Sequence, residues 1–337
     1  VLMKPQFHPP VLGRRALLRA SLMGATGAML ALPGARLLAQ TGSAGASDAA
    51  SEKGARLVLL GIKGGPRVGG TRSNPANAIV VDGNVYIVDC GMGVSAQAFK
   101  AGLDMARMRA IFISHMHSDH ELEFGNLVYN TWVAGDLRQK IDAYGPKGLA
   151  DMARNYWATH GSDIHTRIAD EGRTDPATLL EVHEFDAGEG LVMDDGVVRV
   201  TALTTPHPPI KDLAYRFETP YGSIVISGDT AYNPALAEFA RDCDVLVHET
   251  LYVPGVDALV KRAQQGEAFR NHILNSHTSA EDVGKIATQA RAKKLVLTHF
   301  VPGDMEWITD EMWQKAAATN YAGEILVGHD LQNIALG

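Results

Sequence analysis

Five short apolar runs in this chain each end on an imidazole or a carboxylate. They are "AIFISH" on His115, "VTALTTPH" on His207, "IVISGD" on Asp229, "DVLVHE" on His248 and Glu249, and "KLVLTH" on His299. The runs are rich in β-branched and aliphatic residues and too short for helices, so they predict strands, several of them buried on both faces. Strand ends can project residues from distant parts of the chain into one cleft. A lone histidine in such a place is more often structural, and His248 or His329 taken alone reads that way.

The segments between these runs set the architecture. "NAIVVDGNVYIVDCGMG" holds two β-rich runs around Asp82-Gly83, a hairpin signal. "FKAGLDMARMRA", "GPKGLADMARNYWATH" and "SAEDVGKIATQARA" read as helices. A strand-rich half followed by helix occurs twice, which predicts an α/β fold of two sheets packed face to face with helices outside. The folded domain is expected over 55–337, with helical insertions near 123–180 and 251–275, after a small polar linker at 41–54. Aromatic residues in the insertions, Trp132, Tyr144, Tyr156, Trp157, Tyr252 and Phe269, and also His272, are candidates to line a substrate pocket. Arg262 and Arg270 read as a solvated helix face.

Residues 1–40 carry Lys4, Arg14, Arg15, Arg19 and Arg36 and no acidic residue, and they lead into "ASLMGATGAMLALPGA". A basic start, an apolar stretch and a run of small residues form a secretory signal, and Arg14-Arg15 points to the twin-arginine route. The expectation is a periplasmic or secreted protein with no stable membrane insertion once the signal is removed. Without those forty residues the 31 basic side chains fall to 31 − 5 = 26 against 38 acidic ones, a net charge near −12. Such a surface repels phosphate backbones, which predicts a small-molecule substrate and no nucleic acid. Cys90 and Cys243 lack metal-site spacing and read as small buried residues, with pairing left open.

The densest feature is "HMHSDH" at 115–120. In an extended segment His115 and His117 point the same way, while Asp119 and His120 start the next turn and can face a neighbouring centre. That is a loop suited to two metals. Imidazole and carboxylate without thiolate suit Zn²⁺, and also Mn²⁺ or Fe²⁺.

HxHxDH at 115–120, followed by His207, "GDT" at 228–230 and "LTH" at 297–299, resembles the metallo-β-lactamase superfamily. The similarity extends from roughly residue 55 to 337. It implies a four-layer αββα sandwich and two divalent ions per chain, one on His115, His117 and His207, the other on Asp119, His120 and His299, with Asp229 between them. "HET" at 248–250 and "SHTS" at 276–279 are similar to motifs of the ribonuclease Z and phosphodiesterase-like branch. That likeness implies that Glu249 orients His277, which assists the leaving group; capping of a following helix is the bland role for this segment.

His207 and Asp229 are 229 − 207 = 22 residues apart, which leaves no room for the long arm with which ribonuclease Z grips transfer RNA. The expectation is therefore an exported, arylsulfatase-like or phosphodiesterase-like metal-dependent hydrolase, acting on a small aromatic ester-like substrate through a hydroxide shared by two metals and oriented by Asp119. Lactonase, carboxylesterase or dehalogenase chemistry ranks second, and an iron redox protein or a non-catalytic metal-binding module third. Homo-oligomer formation is open.

Overall fold

The computed structural model describes residues 53–67, 69–185 and 190–336. The leader expected over 1–40 lies outside the described residues. One sheet has seven strands in the order β14-β1-β2-β3-β4-β5-β6. These are β1 (Ala55–Gly61), β2 (Ala76–Val81), β3 (Asn84–Val88), β4 (Met108–Phe112), β5 (Ile141–Gly145), β6 (Leu180–Glu184) and the last strand, β14 (Gln332–Leu336). The second sheet runs β13-β12-β11-β10-β9-β8-β7. Its strands are β7 (Gly190–Asp194), β8 (Arg199–His207), β9 (Ile210–Thr219), β10 (Gly222–Ile226), β11 (Val245–Leu251), β12 (Lys294–Val301) and β13 (Glu324–Val327). Each sheet is mixed: β3 to β6 and β10 to β13 run parallel, and the other neighbours are antiparallel.

The helices are α1 (Val94–Lys100), α2 (Ser118–Glu121), α3 (Phe124–Ala134), α4 (Leu149–Thr159), α5 (Gly161–Glu171), α6 (Pro234–Phe239), α7 (Val256–Ala263), α8 (Glu267–Ser276), α9 (Ala280–Ala290) and α10 (Asp310–Ala318). The period of two along each strand decides which layer a side chain joins. In β1, Leu57 and Leu59 enter the core between the sheets, while Val58 and Leu60 pack under α1, α3 and α4. On the far side α6, α9 and α10 cover the second sheet through Leu236, Val283, Ile286 and Trp313. The result is the expected four-layer αββα sandwich.

The Asp-Gly hairpin forms as its sequence predicts, with Asp82 at φ 48° and Gly83 at φ 78° between β2 and β3. Two positive φ values are what a two-residue turn needs to follow strand twist. Phe112, the last residue of β4, stacks on Tyr144 at 5.2 Å and meets Tyr215 and Phe217 edge-on at 5.4 and 5.1 Å. Tyr215 Oη donates to Ile113 O (2.8 Å), and Leu213 N–H donates to Ser114 O (3.1 Å). Strand β9 thereby grips the first sheet directly before His115. A Phe112→Ala change, costing about 3–5 kcal/mol by analogy with other core truncations, would loosen the strand that delivers the histidine loop.

Candidate metal centre

Parallel strands β10, β11 and β12 end on one edge of their sheet, and the residues beyond or at those ends carry Asp229, Glu249 and His299. Strand β8 ends on His207. From the facing sheet, β4 continues to His115, and His117 stands in extended conformation before α2, whose first turn holds Asp119 and His120. Two local sequence choices make this possible. Gly228 adopts φ 58°, and a side chain there would meet Asp212 Oδ1 at 1.9 Å. His299 itself sits at φ 41°, a strained conformation for a residue with a Cβ.

The donor atoms converge in two overlapping sets. His115 Nε2 and His207 Nε2 lie 2.9 and 3.2 Å from His117 Nδ1. Asp119, His120 and His299 form the second set, with His120 Nε2 and His299 Nε2 each 3.6 Å from Asp119 Oδ2. Asp229 Oδ2 stands between them, 3.1 Å from His299 Nε2, 3.5 Å from His120 Nε2 and 3.9 Å from His207 Nε2.

The outward nitrogens are fixed from behind. His115 Nδ1 donates to Asp212 Oδ2 (2.6 Å), His120 Nδ1 to Asp89 Oδ2 (2.8 Å) and His207 Nδ1 to Ser276 O (2.8 Å). In the neutral ring each of these bonds places the lone pair on Nε2, facing the cluster. Gly65 N–H donates to Asp119 Oδ2 (2.8 Å) and Asp229 N–H to Asp212 Oδ2 (2.9 Å). Ser114 donates to Asp89 from its N–H (2.8 Å) and its Oγ (3.0 Å).

The supporting carboxylates Asp89 and Asp212 are absent from the sequence reading. Asp89 had a signal, since it follows a strand as the other site residues do; Asp212 sits inside β9 with none.

Burial pushes His115 down to about 3, helped by neighbouring His120, and pushes His117 and His207 down to about 4, so these three are neutral imidazoles at pH 7. For His120 burial works the other way from its surroundings, and the carboxylates of Asp229, Asp89 and Asp119 win, raising it. That corner favours positive charge, which either a proton on His120 or a cation beside neutral His120 would supply.

The fit to metal rests on atoms left over. His120 Nε2, His299 Nε2 and Asp229 Oδ1 are buried with no hydrogen-bond partner among the described residues. Single orphaned atoms occur elsewhere in the core, as at Asn77 Oδ1 and Trp313 Nε1, but here three belong to one cluster of ligand-type side chains, where a bound cation would satisfy them. Imidazole nitrogens and carboxylate oxygens suit Zn²⁺, Mn²⁺ or Fe²⁺.

Glu249 and His277 flank this cluster. Glu249 Oε1 accepts from Thr230 N–H (3.2 Å) and Thr278 N–H (3.0 Å) and lies 3.4 Å from His277 Nδ1. Burial opposes a charge on His277, but the Glu249 carboxylate outweighs it and the imidazole is pushed up to about 9. The capping role belongs to Ser279, whose Oγ accepts from Asp282 N–H (3.2 Å). His277 is left free to face its neighbours, 5.2 Å from the His207 ring and 5.6 Å from the His299 ring.

The cluster opens into a cavity of about 560 Å³ whose other walls include Lys63, Arg67, Arg262, Phe269 and His272. Of the aromatic candidates, Trp132, Tyr144, Tyr156, Trp157 and Tyr252 lie elsewhere. Trp132 donates to Thr174 O (2.8 Å), Tyr144 joins the core, Tyr156 stacks on His160, and Tyr252 packs on Trp313. Helical aromatics are core before they are pocket.

Arg262 departs from the solvated face expected of it: it lines the cavity and donates to Asp304, whereas Arg270 pairs on the surface with Asp257 at 2.7 Å. His248 is buried with Nδ1 donating to Glu249 O (2.7 Å), and His329 is exposed beside Asp310 at 2.9 Å. Cys90 and Cys243 are free, buried thiols in separate clusters.

Neutral imidazoles and carboxylates converging at the strand ends of an αββα sandwich define a metal-dependent hydrolase. The chain belongs to the metallo-beta-lactamase superfamily, whose profile matches residues 71–299. It is 31% identical over 281 residues to a ribonuclease Z of Mycobacterium marinum, covering 82% of this chain and 97% of that one. In three dimensions it is similar to the metallo-beta-lactamase fold protein YhfI from Bacillus subtilis, with TM-score 0.62, 19% identity and coverage of 84% and 100%. It is likewise similar to human tRNase Z, short form, with TM-score 0.61, 22% identity and coverage of 84% and 99%.

The ribonuclease Z relatives correct two expectations: an arylsulfatase-like enzyme for a small aromatic ester-like substrate, and no nucleic-acid partner. The short span from His207 to Asp229 does not exclude the ribonuclease name, because the M. marinum relative is matched over 97% of its own length. Net charge misled for a physical reason. It averages over the whole surface, whereas a cavity is decided by its own lining, and here Lys63, Arg67 and Arg262 stand among Asp119, Asp229 and Asp304, with no surplus of either sign.

Proposed function

We propose that this chain is a metal-dependent ribonuclease that hydrolyses phosphodiester bonds in RNA. The observation that carries this reading is Asp229 Oδ2, placed within 3.9 Å of three histidine nitrogens that belong to both donor sets, beside the Glu249–His277 pair. Similarity to ribonuclease Z over nearly the full length of that relative supplies the bond and the polymer.

In this reading His115, His117 and His207 would hold one divalent ion and Asp119, His120 and His299 the other, with Asp229 beside both sets. Bound Zn²⁺, Mn²⁺ or Fe²⁺ would supply Lewis acidity toward the phosphate and make a water more acidic. Asp119, held by Gly65 N–H, is placed to orient a water toward phosphorus. Charged His277, kept so by Glu249, delivers its proton to the ribose oxygen as the P–O bond breaks. Lys63 and Arg67 attract the polyanion to the cavity.

The test is incubation of the purified protein with end-labelled structured RNA, transfer-RNA precursors included, with and without chelator. Cleavage abolished by chelator and restored by Zn²⁺ or Mn²⁺ is expected. No metal-dependent cleavage of any RNA would overturn the reading.

We also propose that residues 1–40 direct export and that the hydrolase domain spans 55–337. The arginine pair ahead of an apolar, then small-residue stretch supports export. Changing Arg14 and Arg15 together to Lys should leave the protein in the cytoplasm on cell fractionation; unchanged export would defeat the proposal.

A further inference from the structure

The cavity has two chemically different sides. One is the histidine and carboxylate cluster. The other is apolar and comes from α7, α8 and the end of β12: Leu259, Ala263, Phe269, Ile273 and Val301. These side chains belong to neither of the two large cores. Leu251, Val256, Ile273 and Val301 form a separate buried cluster, with Leu259 and Phe269 packed half-buried against it. An apolar wall beside the metal-ligand cluster is not needed to hold the sandwich together, and a phosphodiester offers nothing for it to bind except what the phosphate carries.

Resting on the ribonuclease reading, we propose that this wall is a nucleobase subsite, with Phe269 as the stacking platform for a nucleoside flanking the scissile phosphate. Three observations converge. First, Phe269, His272 and Ile273 stand at i, i+3 and i+4 on α8 and so share a face. The His272 ring lies 6.0 Å from the His207 ring, and Phe269 stands three residues, ~4.5 Å along the axis, back toward the start of α8, whose end meets His207 through Ser276 O. A nucleoside flanking a phosphate at the cluster can thus reach Phe269 along the cavity wall past His272.

Second, Phe269 is the one Phe, Tyr or Trp side chain lining the cavity among the described residues. Third, the polar groups beside this wall suit a base and its sugar-phosphate. Gln265 offers an amide, and Arg262 is held by Asp304, donating from Nη1 to its carbonyl (3.1 Å) and from Nη2 to its carboxylate. Stacking on an aromatic ring tolerates any base, so the subsite would grip RNA without fixing its sequence.

The test crosses two changes. Steady-state cleavage is measured for the wild type and for Phe269→Ala on one RNA substrate and on the same RNA with the flanking nucleotides made abasic. Loss of one base–aromatic stack predicts a fall in kcat/KM of about 5- to 150-fold for Phe269→Ala on the intact RNA. On the abasic RNA the two proteins should agree within about twofold. Phe269→Trp should keep wild-type activity on intact RNA, which also controls for folding.

A 2-aminopurine at the flanking position of a non-hydrolysable oligonucleotide should be quenched on binding to the wild type and not to Phe269→Ala. Equal losses on intact and abasic RNA, or no loss on intact RNA, overturn the subsite while leaving the ribonuclease reading in place. Absence of any RNA cleavage by the wild type is a different result, which overturns that reading and the subsite with it.

Discussion

Asp212 is the residue through which the support of the metal centre can be measured. It is fully buried, and one oxygen, Oδ2, accepts from both His115 Nδ1 (2.6 Å) and Asp229 N–H (2.9 Å). Oδ1 has no partner among the described residues. Asp212→Asn can keep both hydrogen bonds through its amide oxygen, putting its NH2 where Oδ1 stood. It removes the ability to carry the charge behind His115 that burial and Asp229 oppose in the metal-free protein and a bound cation would favour. Asp212→Ala removes the acceptor altogether and strands two buried donors, at about 1–3 kcal/mol each, or about 2–6 kcal/mol in all.

The Asn variant should unfold in urea within about 1 kcal/mol of the wild type when metal-free. Its metal affinity should fall about 10- to 100-fold, as loss of a carboxylate behind a histidine ligand does elsewhere. A tenfold loss of affinity lowers the stability of the metal-saturated protein by about 1.4 kcal/mol. The gap between wild type and variant should thus widen when metal is added, and competitive chelator titration should give the same factor. Equal metal affinity in wild type and Asp212→Asn would refute the reasoning and reduce Asp212 to a packing residue.

Three other outcomes follow from the same geometry. Gly228→Ala places a Cβ against Asp212 at positive φ, so it should destabilise the fold by about 2–4 kcal/mol in urea unfolding and weaken metal binding with it. Glu249→Gln can still accept from Thr230 and Thr278 but no longer supports charge on His277, so the alkaline limb of the pH–rate profile should move to lower pH; an unmoved limb would remove His277 as the acid. Burial pushes the Cys243 thiol up to about 12 and Cys90 higher than its usual range, so native protein should resist thiol reagents below pH 9. Because the folded pKa of Cys243 exceeds the unfolded one, its contribution to stability is complete below about pH 9 and is lost as pH rises toward 12, which alkaline unfolding followed by circular dichroism can check.

The fold was legible because strand and turn signals are local: short β-rich runs mark the strands, and Asp82-Gly83 already dictates a turn. Leu57, Val58, Leu59 and Leu60 are all apolar, so only the structure sorts them between the two faces of β1. Four candidate ligands, His115, His207, Asp229 and His299, were legible for a related reason, since each ends an apolar run and strand ends meet at one side of a sheet, while His117, Asp119 and His120 were legible from the HMHSDH spacing. Asp212 was not legible, because it alternates within β9 like any strand residue, and only the approach of Gly228 and His115 gives it work. The aromatic candidates failed for the opposite reason. Trp132 and Tyr252 are near the site motifs in sequence, but the phase of α3 turns Trp132 to Thr174, and Tyr252, in extended conformation just after β11, packs on Trp313.

Net charge over the whole chain and the placement of single charges at the cavity wall carry different information about function. A surplus of acidic residues concerns the average surface, and salt screens it beyond about 8–10 Å. Recognition of a phosphate is decided inside that distance. Lys63 donates to the carbonyls of Arg67 and Gly69, so its ammonium is held at the cavity wall, and burial lowers its pKa against the pull of Asp304, Asp330 and Asp119. A bound polyanion would reverse that balance and favour the charged lysine. Lys63→Gln should accordingly weaken RNA binding and reduce its salt dependence by about one counterion, as fluorescence anisotropy at several salt concentrations would report. A salt slope identical to that of the wild type would mean that Lys63 shapes its loop and meets no phosphate.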